Sequence, residues 1–212
     1  MSHRNRNGIR ERLAYEAGRL AGELGSGDYT HAIRKAAERL GITDQRLWPK
    51  TKDVEDALQR QRRLFGGEHQ GLELRRVRQE ALEAMRHLER FRPRLVGHAL
   101  RGSADLNTGA RLLLFADSSE EVVLELINRR IPWRQRDRLF SYRNGERKAH
   151  PAVSFAANDV PLELVVLPRD AVRNPPLDPV TDRPERGVDA AGLSALLALQ
   201  EDEAPQRFEM GT

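Results

Sequence analysis

A chain of 212 residues that is 39% hydrophobic and 32% charged, with a mean hydropathy of -0.66, has the makeup of a water-soluble globular protein rather than a membrane or disordered one. Folding at this length buries on the order of 70% of the unfolded surface, so no disulfide or metal is needed to complete a core, and the absence of cysteine excludes disulfides, thiolate zinc sites and cysteine nucleophiles. The net charge of +4 divides into about +7 over residues 1–100 and about -3 over the remainder; the basic half is either a surface for RNA, DNA or another polyanion or a solvated arginine-rich helical surface.

In residues 8–24, Ile9, Leu13, Ala17, Leu20, Ala21 and Leu24 recur at three- and four-residue spacing, which predicts an amphipathic helix ending at Gly25-Ser26-Gly27. Asp28 is placed to cap a second helix with the stripe Tyr29, Ala32, Ile33, Ala36 and Leu40, and Gly41 supplies its left-handed terminator. A third helix starts near Thr51 or Asp53, turns Val54, Ala57, Leu58, Leu64 and Phe65 inward, and ends at Gly66-Gly67. The fourth is the longest, over 70–91, with Leu74, Val77, Ala81, Ala84, Met85, Leu88 and Phe91 on one face before Pro93 stops it.

Beyond Pro93 short apolar runs alternate with turn signals, the pattern of strands with an inserted helix. Residues 111–115 are nearly continuous in apolar character and predict an inner strand. Ser118 and Glu121 form a capping box for a helix through about residue 130, with Val122, Val123, Leu126 and Ile127 inward. Strands at 131–142 and 148–155 flank Asn144-Gly145, the strongest hairpin signal in the chain, and a further strand covers 160–167. Five prolines between 168 and 187 predict an extended segment that wraps the surface, before a short helix at 189–199 and an acidic end. The fold class is therefore α+β: a helical basic region over 1–95, a mixed-sheet α/β core over 96–168, and a Pro-rich segment with a terminal helix over 169–212.

The chemistry-bearing motifs are few. His3, His31, His69, His87, His98 and His150 form no His-x-x-x-His or His-x-His pair, so no metal site is legible and no cofactor is assigned. The P-loop, nucleophile-elbow and dinucleotide-binding fingerprints are absent. No 7–15-residue apolar stretch follows the basic amino terminus and no window reaches 18 apolar residues, which predicts a cytoplasmic protein without a membrane partner. Trp133 and Tyr142, interleaved with Arg134, Arg136, Arg138, Arg143, Arg147 and Lys148, make a basic aromatic hairpin with two readings: a platform for stacking bases, or an edge kept charged against aggregation.

One constellation stands out: residues 95–104, ending Gly102-Ser103-Ala104, then a short spacer, the apolar strand 111–115 and a helix. It resembles the nucleotidyltransferase superfamily of the polymerase-beta type, and the whole chain is similar to uncharacterised bacterial proteins of that kind. The impression rests on residues 29–41, 91–104, 113–117, 122–132 and 161–168. The resemblance implies a nucleotidyltransferase-like sheet, a Gly-Ser turn that cradles a triphosphate, and an Asp-x-Asp pair with a third carboxylate holding two divalent metals. In-line transfer needs those oxygen ligands.

The chain departs from that pattern. The two aspartate positions fall on Gly109 and Arg111, and the third carboxylate on Glu163; Asp105 and Asp117 lie nearby but outside the strand register. A guanidinium stays charged and binds no metal. The expectation is a nucleotidyltransferase-like protein without catalysis, with a nucleotide or phosphate cleft around Gly102, Ser103, Arg111 and Glu163. The alternatives are an RNA-, DNA- or protein-binding adaptor working through the basic helical half, and an active enzyme with unusual carboxylates. Arg111 reads equally as a strand-edge cation, Glu163 as the polar face of an alternating strand, and Gly102-Ser103 as an ordinary helix-ending turn.

Overall fold

The computed structural model describes residues 3–24, 29–65 and 67–202. Its order is helices first and then a mixed sheet: α1 His3–Leu24, α2 Tyr29–Leu40, α3 Thr51–Phe65, α4 Gly67–His87, β1 Arg94–Val96, α5 Gly97–Arg101, β2 Ala110–Phe115, α6 Ser119–Asn128, β3 Arg134–Ser141, β4 Arg147–Ala157, β5 Val160–Leu167 and α7 Ala190–Asp202. The class expected from the sequence, α+β, is the one observed. Among the described residues no helix is long and apolar enough to cross a membrane. The Gly25-Ser26-Gly27 stop, the Asp28 cap, Gly66 and the acidic end beyond residue 202 lie outside the described residues, as do the side chains of Leu24, Leu64 and Phe65.

Most of the stripe residues read from periodicity in the helical half are buried, with Ile9 and Leu40 half-buried. Leu13, Ala17, Leu20, Tyr29, Ala32, Ile33, Ala36, Val54 and Leu58 join α1, α2 and α3 into one small core. Gly18 permits the approach of α1 to α3, since a Cβ there would lie 3.1 Å from the Leu58 backbone nitrogen. The stripe of α4 belongs to a different core, with the sheet and with α6 and α7: Val77, Ala81, Met85 and Leu88 pack with Leu112, Leu114, Val122, Leu126, Val153, Leu164 and Leu193. The break in packing thus falls between α3 and α4. Leu88→Ala, at a residue only 2% exposed, should cost roughly 3 kcal/mol through lost transfer energy and the cavity left behind; an unchanged denaturation midpoint would place this stripe on the surface.

Local differences have local causes. Gly67 opens α4 rather than closing α3, and α4 ends at His87, with Leu88 leading into a 3₁₀ turn over Glu89–Phe91. Ser118 occupies the N-cap of α6 but its side chain makes no capping hydrogen bond. Ile127, expected inward, is 53% exposed, because α6 buries its Val122–Leu126 stripe and Ile127 sits off it. The strand β1 and the five-residue α5 were not legible. Both are too short to show a period.

The sheet runs β1-β2-β5-β4-β3, with β2 and β5 parallel and the other neighbours antiparallel. Tyr142 and Gly145 close the β3–β4 hairpin through Gly145 N–H to the Tyr142 carbonyl, with Gly145 at φ +81°. Helices cover one face. Among the described residues, apolar packing on the other face lies toward the carboxyl ends of β2 and β5, where Leu113, Phe115, Val165 and Leu167 meet Phe140, Tyr142 and Ala171. At the opposite end a single register row, Val96, Arg111, Glu163, Ser154 and Arg134, crosses all five strands.

The Pro-rich segment does more than wrap the surface. Pro175, Pro176, Asp178, Val180 and Glu185 are buried. Val188 pairs with Leu95 on β1, Leu177 pairs with Pro184, and the Leu177 amide donates to the Ser141 carbonyl at the end of the edge strand β3.

Candidate functional site: an arginine-lined cleft on the open sheet face

A cleft of about 680 Å³ lies over the exposed end of the sheet, between the β1–α5 junction and loop 105–109 on one side and β3 on the other. Its floor is the register row. Arg111 of β2 and Glu163 of β5 face each other across a parallel pair, and the Arg111 Nε donates to Glu163 Oε2 at 2.7 Å. Arg136 and Arg138, two residues apart on β3 and therefore on the same face, both donate to Glu163 Oε1, at 2.6 and 2.8 Å. Arg134 lines the same cleft. Three guanidinium groups thus converge on one carboxylate, and the surplus is positive.

Glu163 is poised accordingly. Burial by itself pushes its carboxyl up, but Arg111 and then Arg138 outweigh that and bring its pKa down to about 2. Arg111 and Arg138 both reach Glu163 through Nε, and among the described residues their terminal nitrogens have no other protein acceptor. A guanidinium in that state presents a two-pronged donor to a planar or tetrahedral oxyanion.

Gly109 forms the rim at φ +63°, and a Cβ there would lie 1.9 Å from the Pro161 carbonyl oxygen. No side chain fits that position without moving β5. The loop leading to it is shaped by Asp105, whose Oδ1 accepts from the Asn107 and Thr108 amides and from the Thr108 hydroxyl, while Arg62 holds its other oxygen. Asp105 is committed to this turn. Asp117 is exposed beyond the far end of β2, where Arg169 pairs with it at 3.0 Å. Among the described residues no group of three His, Asp or Glu side chains is arranged to hold a metal.

The Gly102-Ser103 turn sits behind the cleft. Gly102, at φ +85°, terminates α5, and the Ser103 amide donates to the His98 carbonyl at 2.9 Å. The Ser103 hydroxyl is 1% exposed; it donates to Glu55 at 2.9 Å and lies 3.1 Å from His98 Nδ1. Neither residue lines the cleft. Of the four residues singled out from the sequence, the structure brings Arg111 and Glu163 together on the floor and gives Gly102 and Ser103 a helix-ending role. Sequence reasoning did not connect Arg136 and Arg138 to Glu163, although their alternation on a hairpin strand was the available signal.

Behind the cleft a buried network ties α3, α5 and the Pro-rich segment together. Arg101 pairs with Glu55 at 2.6 Å and with Asp178, and Asp178 Oδ1 accepts from the Val180 amide at 2.7 Å. His98, which lines the cleft, contacts the Tyr29 hydroxyl at 3.2 Å through Nδ1. Desolvation, followed by the charges of Arg101, Arg111 and Arg62, lowers its pKa to about 3, so its imidazole is neutral at pH 7.

These two groups set the acid response. His98 ordinarily titrates near 6.5, so the unfolded chain takes up its proton first, and stability should decline as pH falls from about 6.5 toward 3. Glu163, ordinarily near 4.5, contributes stability that is full above that value and is lost as pH falls toward 2. Urea midpoints measured from pH 7 to pH 4 should therefore drop, and His98→Asn should flatten the upper part of the profile. An identical slope in that variant would refute the assignment to His98.

The aromatic hairpin residues do not face the cleft. Trp133, one residue out of phase with Arg134, packs against the helix-covered core. Tyr142 is buried, with its hydroxyl 2.7 Å from His150 Nε2. Alternation sets Trp133 apart from the arginines, and Tyr142, although in phase with them, is buried with Leu113 and Phe115, so neither ring lines the cleft. The helical half also differs from its charge count: Arg78, 6% exposed, donates to the Ala99 and Leu100 carbonyls, and Arg19 and Arg39 both pair with Glu16. No family model matches the chain, and neither a curated protein nor a solved structure is significantly similar to it.

Proposed function

We propose that this chain binds a phosphate-bearing ligand of the nucleotide class in the cleft, as a nucleotidyltransferase-like protein that lacks nucleotidyl transfer. The observation that carries this reading is the convergence of Arg111, Arg136 and Arg138 on the single carboxylate of Glu163. Glu163 acts as an internal anion that holds the guanidinium groups in place, and their unneutralised charge is left for a second anion. The residues that support the absence of transfer chemistry are Gly109, which has no room for a carboxylate, and Arg111, which places a fixed cation where the superfamily holds a metal ligand. Gly102 and Ser103 then support the cleft from behind by anchoring α5. Compared with the helical half, whose Arg19, Arg39, Arg62 and Arg78 are engaged internally, the sheet face is the better anion surface.

Isothermal titration with ATP, CTP, GTP and UTP, each with and without Mg²⁺, tests the reading. Binding should occur with an affinity nearly independent of Mg²⁺ and should release no pyrophosphate. Arg111→Ala should weaken it about tenfold or more, corresponding to about 1.4 kcal/mol, and added salt should weaken it as well. Mg²⁺-dependent transfer of radiolabelled nucleotide to any acceptor, abolished by Glu163→Gln, would instead restore an enzyme.

A further inference from the structure

The arginine floor has a second side. Arg111 and Arg138 also line an adjoining cavity of about 490 Å³, bounded by the starts of α2 and α3, the end of β3 and the loop around residues 177–182. The two compartments share these cations and differ otherwise in chemistry. The first is rimmed by Pro161, with Asn107, Thr108 and Gln135 beside it. The second carries the hydroxyls of Thr30, Thr51 and Ser141, the carboxylate of Asp182 and the guanidinium of Arg147, while Asp178 on its wall is already held by Arg101 and the Val180 amide.

Each compartment falls within the roughly 300–1,000 Å³ of a small-molecule site, so one mononucleotide fills one of them and leaves the other empty. The first is the better phosphate compartment, because it adds Arg134 and Arg136 to the shared cations, whereas the second adds Arg147 alone with the carboxylate of Asp182 beside it. The second is suited to a polyol: a carboxylate and hydroxyl groups accept from and donate to sugar hydroxyls, and the charged acceptor makes the stronger hydrogen bonds. The junction between the compartments is where two guanidinium groups stand together, matched to a pyrophosphate rather than to a single neutral linkage.

Resting on the phosphate-binding reading above, the geometry points to a two-armed ligand, a nucleoside diphosphate esterified to a sugar. Its pyrophosphate lies on Arg111 and Arg138, its nucleoside in the first compartment and its sugar in the second. A single strand of nucleic acid is disfavoured by Asp182, which would meet its next phosphate.

Titration of the full chain with UDP, UDP-glucose, ADP, ADP-glucose and a short single-stranded oligonucleotide tests this. The sugar diphosphates should bind at least tenfold more tightly than the matching nucleoside diphosphates. Asp182→Asn, at an exposed residue whose φ of +53° asparagine tolerates, and Ser141→Ala should remove most of that increment and leave UDP and ADP affinity unchanged. Arg138→Ala should weaken all four nucleotides. Equal affinity for UDP and UDP-glucose, and for ADP and ADP-glucose, would overturn the two-armed ligand and leave the phosphate site standing. Oligonucleotide binding tighter than either sugar diphosphate, with the same Arg138 dependence, would overturn it in favour of nucleic acid. No binding of any probe would overturn both readings.

Discussion

Gly109→Asp, the substitution that puts a carboxylate back at the first metal-ligand position of the resemblance, is expected to lower folding stability by about 4 kcal/mol or more, in the range reserved for backbone conflict. Two effects add. The residue has φ +63°, which L side chains rarely adopt, and its Cβ would fall 1.9 Å from the Pro161 carbonyl oxygen, well inside contact distance. That neighbour is backbone on an inner strand and has no rotamer to change. Gly109→Ala should show most of the same loss, which separates the Cβ from the charge. Urea denaturation of both variants checks it. A midpoint within a few tenths of a molar of the parent would mean that the rim is not held against β5 in this way. The consequence is that no carboxylate can be placed at this rim by a single substitution, because the loop closes on β5 where a side chain would stand.

Arg101→Ala is expected to cost about 3–5 kcal/mol, the magnitude of a buried ion pair broken on one side. Its guanidinium lies between Glu55, 3% exposed, and Asp178, 8% exposed. Removing it leaves two buried carboxylates without their cation. Glu185 adds to the effect: it is 6% exposed, and burial followed by the nearby charge of Asp178 raises its pKa. Because the damage is the uncompensated charge, Arg101→Met combined with Glu55→Gln should be less destabilised than the sum of the two single variants. Strict additivity in thermal denaturation would show that the three groups are not one network. Loss of this cation should also loosen the Pro-rich segment, since Asp178 holds the Val180 amide.

Much of the architecture was legible because its signals are local. The stripe from Leu74 to Leu88, the Asn144-Gly145 turn and the nearly continuous apolar run of β2 carry periodicity and turn chemistry within a few residues. The strand Val160–Leu167 was readable for the same reason. The three-residue β1 and the five-residue α5 carry too few positions for any pattern. The Pro-rich segment read correctly as irregular, but prolines say nothing about burial, and Asp178 and Glu185 are buried by partners far away in the chain.

By itself, the sequence determined which residue types are available at the site: glycine and arginine where the resemblance places aspartates, one carboxylate at 163, and a basic hairpin strand. Residue identity requires no fold, and the α+β order follows from short-range pattern. Only the tertiary structure decided which of the arginines meet Glu163 and which are consumed elsewhere. Arg111, Arg136 and Arg138 converge on it across separations of 52, 27 and 25 residues, while Arg78 is buried under α5. Such contacts depend on strand register, and a shift of one residue would turn every side chain of β3 to the other face. The same register turned Trp133 away from the cleft, and the docking of α3 on α5 placed Glu55 against Ser103, where local sequence offers no sign of either.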